Sequence, residues 1–256
     1  MNADRVAADP SDGHQGYIEP KLATLQVDGR VATLTLNRPA KLNALSPALL
    51  ADAVAEIELL RETGTGVLIV AGAGRAFSTG ADLDALSGPA FSREDGRRFQ
   101  ALAVQLMHLL ETIPQITIAK VHGLCLTGGL ELALACDLIV AAEEAEFADT
   151  HAQIGFRPMW GLTQRLPRRI GIMRARELSF TGRRVKGTEA AALGLALEAV
   201  PAMSLDARVD ALAAAIIDNN LDSLAAYKAL YHQSQNLMLD EGLRYEAAAR
   251  FRIARR

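Results

Sequence analysis

Two runs rich in β-branched and apolar residues, 22–26 and 31–37, flank Asp28-Gly29, and this pattern predicts an antiparallel hairpin. Ser46-Pro47 then supplies an N-cap and a first-turn proline. The apolar positions Leu49, Leu50, Val54, Ile57 and Leu60 follow with helical period, up to a stop at Gly64. Residues 67–71 form a short continuous apolar run, as a strand buried on both faces requires. A second helix opens at Ser92, and its apolar positions Phe99, Leu102, Val104, Leu106 and Leu109 lead toward Pro114.

Buried strands are predicted at 116–121 and 138–141, with a short helix after Gly128-Gly129. Strands alternating with helices predict an α/β unit with a largely parallel sheet. Beyond about Gly161 the chain turns Ala-, Leu- and Arg-rich with helical spacing, and residues 195–200 are the one strand-like exception. The expected organisation is a disordered tail over 1–16, an α/β core over 17–160 and a helical C-terminal region over 161–256.

Half of the 256 residues are apolar, enough for a sizeable core. Lys plus Arg number 27 against 30 for Asp plus Glu, a net charge of −3 that gives no field suited to nucleic acid or an anionic membrane. The most apolar stretch, 124–142, is interrupted by Glu131 and Asp137, so it predicts core elements and no membrane span. Cys125 and Cys136 have neither disulfide-framework nor zinc-site spacing and fit reduced core thiols of a cytoplasmic protein.

Three segments stand out chemically. Asn37-Arg38-Pro39-Ala40-Lys41-Leu42-Asn43-Ala44-Leu45 is, on local grounds, a polar strand-to-helix loop. Ala76-Phe77-Ser78-Thr79-Gly80-Ala81-Asp82-Leu83 contains a near match to a G-x-S-x-G nucleophile elbow centred on Ser78, with His151 or His232 as base. Just before it, Gly72-Ala73-Gly74 starts a dinucleotide fingerprint that fails at Phe77. The third segment runs from Val121 through Gly128-Gly129-Leu130-Glu131-Leu132-Ala133. Its helix start offers unpaired N–H groups to a developing oxyanion. Glu131 lies one turn in, among leucines; it is either a general acid/base with a pKa raised by burial, or a structural carboxylate bonded to a loop or an arginine. His151, two residues beyond Asp149, reads by itself as a structural loop histidine.

In this order and spacing the segments resemble the crotonase superfamily of enoyl-CoA hydratases and isomerases. Gly161-Leu162-Thr163-Gln164-Arg165-Leu166 and Thr181-Gly182 through Gly194-Leu195 extend the resemblance. It implies a β-β-α superhelix with a helical C-terminal region, assembled into homotrimers or homohexamers. It also implies an oxyanion hole from the backbone N–H groups of Ala81 and Gly128, gripping the thioester oxygen of an acyl-CoA. The matching CoA contacts fall on Lys41, Leu42, Ala44, Thr79, Asp82 and Leu83, and coenzyme A enters as part of the substrate, with no metal or other cofactor.

Family hydratases carry two catalytic glutamates. The first matches Glu131; the second falls on His151, 151 − 131 = 20 positions on. A Glu/His pair therefore stands in place of Glu/Glu, which keeps hydration chemically open and counts against isomerisation, where the second glutamate leads. The expected activity is water addition to a 2-enoyl-CoA. The alternatives are another enolate reaction on the same scaffold (isomerisation, dehydration, decarboxylation, thioester hydrolysis) or CoA binding without turnover. Family chains often add a helix after the region matching 241–251, so part of the CoA enclosure is expected to be absent or borrowed from a neighbouring subunit.

Overall fold

A computed structural model describes residues 21–61, 63–87 and 91–254; the expected tail over 1–16 lies outside the described residues. Strands β1 (Ala23–Asp28) and β2 (Val31–Leu36) form the hairpin, paired from Ala23 with Leu36 to Asp28 with Val31. That register leaves Gly29-Arg30 as the two-residue loop, one position on from Asp28-Gly29, and Gly29 supplies the positive φ of 56° that such a turn needs.

Helix α1 (Pro47–Leu60) is capped as its sequence predicts: the Ser46 hydroxyl accepts from the Leu49 N–H at 3.2 Å. Strand β3 (Val67–Gly72) runs parallel to β2 and buries five of its six residues. The chain then turns into a three-residue strand, β4 (Ala76–Ser78), and helices α2 (Leu83–Leu86) and α3 (Arg93–Thr112) follow. Ser92 and Asp95 close a reciprocal capping box on α3. The buried stripe of α3 is Phe99, Ala103, Leu106, Met107, Leu109 and Leu110; Val104 falls off it and is exposed, because a 3.6-residue period admits 103 and excludes 104.

The same excursion occurs twice more. Strand β5 (Ile116–Val121) leads to β6 (Leu124–Leu126) and helix α4 (Gly128–Ala135); β7 (Leu138–Ala142) leads to β8 (Glu146–Ala148). Each pass sends one strand to a six-stranded sheet, ordered β1-β2-β3-β5-β7 and closed by a later strand. The next strand goes to a small second sheet in which β4, β6 and β8 run parallel. This is the β-β-α superhelix that the resemblance implies. Gly123 makes one of the sharp crossings: its φ is 55°, and a Cβ there would lie 2.0 Å from the Arg75 carbonyl oxygen.

After Gly161 come α5 (Leu162–Ile170), α6 (Ile172–Thr181), β9 (Val185–Lys186), α7 (Gly187–Leu193), β10 (Glu198–Val200), α8 (Leu205–Ile217), α9 (Leu221–Ser234) and α10 (Leu239–Ala248). The region is mainly helical, but β10 closes the six-stranded sheet beside β7 and β9 closes the small one beside β8. Helix α9 is tied to the core through buried Lys228, whose ammonium donates to the Leu110 and Gln115 carbonyls at 2.7 and 2.8 Å and pairs with Asp137 at 2.8 Å. No helix among the described residues is long and apolar enough to cross a membrane.

Candidate functional site

The three parallel strands of the small sheet end side by side, and each is followed by one of the segments singled out in the sequence. β4 leads into Thr79-Gly80-Ala81, β6 into Thr127-Gly128, and β8 into Asp149-Thr150-His151. The register pairs Leu126 with Ala148, so residues far apart in the chain emerge next to one another. Carboxyl ends of parallel strands are where open α/β sheets place ligands.

Ala81 forms a parallel bridge with Leu45, made by Leu45 N–H to the Gly80 carbonyl at 2.7 Å and Asp82 N–H to the Leu45 carbonyl at 3.0 Å. Those bonds use the flanking peptides, so the Ala81 N–H itself points away from Leu45. Gly128 is the first residue of α4, where amide groups have no partner within the helix. The two stretches are in contact: a Cβ on Gly80 (φ 90°) would lie 2.8 Å from the Gly128 nitrogen and 1.9 Å from the Thr127 hydroxyl. Thr127 fixes this junction. Its N–H donates to the Ala148 carbonyl at 2.9 Å and its hydroxyl to the Thr79 carbonyl at 3.1 Å, while its own backbone sits at φ 45°, an unfavourable conformation for a β-branched residue.

Helix α4 is buried on every side, and Glu131 with it at 1 % exposure. The two oxygens of Glu131 have different surroundings. Oε1 accepts from the Trp160 and Leu162 amides at 2.9 and 3.1 Å, a structural clamp to the following loop. Oε2 instead faces His151 Nε2 at 3.6 Å. Burial pushes the Glu131 carboxyl above the usual range, against the pull of the Leu162 amide, the His151 ring and the Trp160 amide.

His151 is oriented from its other side. Its Nδ1 lies 2.6 Å from Asp149 Oδ1, which also accepts the His151 backbone N–H at 3.2 Å. Asp149 is itself buried; burial raises its pKa, but the bonds from the His151 ring, the Ser179 hydroxyl and the His151 amide outweigh it and hold the carboxyl below its ordinary value. An ionised Asp149 keeps the proton on Nδ1 and leaves Nε2 as an acceptor aimed at Glu131. Sequence reasoning placed Asp149 two positions before His151 but left it off the candidate site; the structure makes it the partner that orients the imidazole. Arg165 was also passed over: it donates to the Trp160 carbonyl at 2.6 Å and grips Glu111 at 2.6 and 2.9 Å, holding the loop that clamps Glu131.

The expected CoA contacts border this site by way of the 37–45 loop. The Leu42 carbonyl accepts the Thr79 amide at 3.2 Å. Lys41 is exposed and pairs with Asp84 at 2.8 Å, and Leu83 is 41 % exposed. Ala44 is half-buried, its carbonyl taken by Arg38 at 2.6 Å. Asp82 turns inward, pairing with Arg38 at 2.8 Å and capping α2 through the Ala85 amide, so its carboxylate is committed to the fold. Ser78 is no exposed nucleophile: it is fully buried, donates to the Asn43 carbonyl at 2.9 Å and accepts the Gly80 amide at 3.2 Å. Among the described residues no cluster of three or more His, Cys, Asp or Glu side chains could hold a metal ion.

The family model described as enoyl-CoA hydratase/isomerase matches residues 26–252, and the chain belongs to that family, which is enzymatic. A protein named probable enoyl-CoA hydratase, mitochondrial, from Dictyostelium discoideum is 36 % identical over 88 % of this chain and 80 % of its own length. Among solved structures, an enoyl-CoA hydratase from Bacillus anthracis is 35 % identical with a TM-score of 0.84, covering 88 % of each chain. A putative enoyl-CoA hydratase from Thermobifida fusca YX in complex with CoA is 29 % identical with a TM-score of 0.79, covering 89 % of this chain and 90 % of that one.

Proposed function

We propose that this chain is an enoyl-CoA hydratase that adds water across the double bond of a 2-enoyl-CoA, with Glu131 and His151 as its acid/base pair. The observation that carries the reading is the Oε2–Nε2 gap of 3.6 Å beside the junction of Ala81 and Gly128. The thioester oxygen sits on the Ala81 and Gly128 amides, each worth about 3 kcal/mol where charge develops. Water held between the two side chains gives a proton to His151 Nε2 as its oxygen bonds to the β carbon. Glu131, whose carboxyl burial pushes above the usual range, gives its proton to the α carbon, and the imidazolium returns one across the gap to Glu131. The sum is one water added and both side chains restored.

CoA enters as part of the substrate, over Lys41, Leu42, Ala44, Thr79 and Leu83, a reading supported by the relative known with CoA bound, and the proposed reaction calls for no metal or redox cofactor. We place the protein in the cytoplasm as a homotrimer or homohexamer. The test is incubation with crotonyl-CoA and mass spectrometry of the product. Gain of one water supports hydration. The Asp149–His151 pair would equally activate water for attack on a thioester carbonyl, and release of free CoA would favour that second reading.

A further inference from the structure

Trp160 is the only tryptophan in the chain. It is 6 % exposed and stands at an unusual junction in the segment between β8 and α5. Its main-chain N–H donates to Glu131 Oε1 at 2.9 Å. Its ring edge lies on Gly128, so closely that a Cβ at Gly128 would come within 2.3 Å of Cζ3. Trp160 therefore touches both, its main-chain N–H at the Glu131 carboxylate and its ring edge at Gly128. Its far side packs edge-on against Phe99 of α3, with ring centroids 5.4 Å apart and planes at 70°.

An acyl-CoA with its oxygen on the Gly128 amide has its α and β carbons beside Glu131, along the stretch that Trp160 walls. Carbons beyond the β position must pass this ring. We infer that Trp160 is the specificity-determining residue of the acyl chain, closing the site to all but short acyl groups. The inference rests on the hydratase reading for its chemistry and on the Gly128–Trp160–Phe99 packing for its geometry. Buried and wedged between a helix terminus and a second aromatic ring, the indole has no free direction in which to yield to a longer chain. Trp160 Nε1 has no hydrogen-bond partner among the described residues, so a smaller apolar side chain removes bulk without breaking a side-chain hydrogen bond.

The test compares the parent with Trp160→Leu, which keeps an apolar filling, and with Trp160→Phe, which keeps a ring and guards against a folding failure. Turnover is measured on crotonyl-CoA and on decenoyl-CoA. Each blocked methylene in an apolar site is worth about tenfold or more. The parent should therefore favour crotonyl-CoA in kcat/KM by at least about tenfold, and Trp160→Leu should shrink that preference by at least about tenfold, with Trp160→Phe between them. A preference that is the same in all three proteins while crotonyl-CoA is still hydrated overturns the inference and leaves the hydratase reading standing. If the parent hydrates neither compound, the hydratase reading falls, and calorimetric binding of butyryl-CoA and decanoyl-CoA decides the inference. Tighter butyryl-CoA binding that Trp160→Leu equalises supports it; equal affinities in the parent, or no binding of either compound, overturn it.

Discussion

Glu131 Oε2 and His151 Nε2 face each other across 3.6 Å, each held from behind by a different part of the chain. The Trp160 and Leu162 amides hold the glutamate, and Asp149 holds the histidine. Two groups that can exchange a proton through one water are thereby fixed with little freedom to turn away from each other.

Glu131→Gln should lower turnover of crotonyl-CoA by about a hundredfold to ten-thousandfold, the usual cost of a positioned acid/base. The amide oxygen of Gln still accepts from Trp160 and Leu162, so the fold should persist. Its effect on stability depends on pH. Because folding raises the Glu131 pKa, its favourable contribution is complete below the ordinary value of about 4.3 and is lost as pH rises through the raised value. Gln does not ionise. The variant should equal the parent in acid and gain on it toward neutral pH, which urea unfolding across a pH series measures. Turnover within about threefold of the parent would remove Glu131 from the reaction.

Asp149→Asn should also reduce turnover, by letting the imidazole take the wrong tautomer or turn. His151→Ala should reduce it comparably, and the double variant should be scarcely worse than either single one, since both changes disable one unit. His151→Glu should recover part of the rate by restoring a carboxylate. Asp149 has a lowered pKa, so its stabilising contribution is present above about pH 3.9 and is lost as pH falls through the folded value. The acid limb of the stability profile should accordingly be shallower in Asp149→Asn. Additive losses of rate in the double variant would refute the coupling.

Thr127 combines a strained backbone with a useful hydroxyl. The strain costs on the order of 1–3 kcal/mol, and the hydrogen bond to the Thr79 carbonyl returns about 1 kcal/mol. Thr127→Val keeps the strain and loses the bond, so it should destabilise by about 1–2 kcal/mol. Thr127→Gly relieves the strain, gives up the bond and adds chain entropy to the unfolded state, so it should fall within about 1 kcal/mol of the parent. Denaturant midpoints of the two variants check the order; Gly at or below Val would show that the conformation is not strained.

Tyr227 and Tyr231 on α9, Met238 at the N-cap of α10, and Leu239 and Leu243 on α10 are exposed, a concentration of apolar side chains that favours association. Leu239 is 77 % exposed, while Leu221, Leu224, Leu230 and Leu237 of the same helical region are half-buried. Light scattering should show a trimer or hexamer at micromolar concentration, and Tyr231→Asp with Leu239→Asp should shift it toward monomer. A parent protein that is monomeric at that concentration refutes the assembly.

Local patterns determined the elements whose burial is periodic or continuous. The β1–β2 hairpin, α1 with its Ser46 cap, the start of α3 at Ser92 and the buried strands β3, β5 and β7 were legible because a repeating apolar face or a cap is written within a few neighbouring residues. Glu131 stood out locally as a carboxylate among leucines, whereas its pairing with position 151 was legible only through motif order and spacing. Nothing local in the sequence revealed the small sheet, whose strands β4, β6 and β8 are three residues long, too short for any period to register. Its parallel register is made of backbone hydrogen bonds between distant segments. That register, set by the tertiary structure, brings the Ala81 and Gly128 segments together, turns Asp149 and His151 toward Glu131 and seats Trp160 against Gly128.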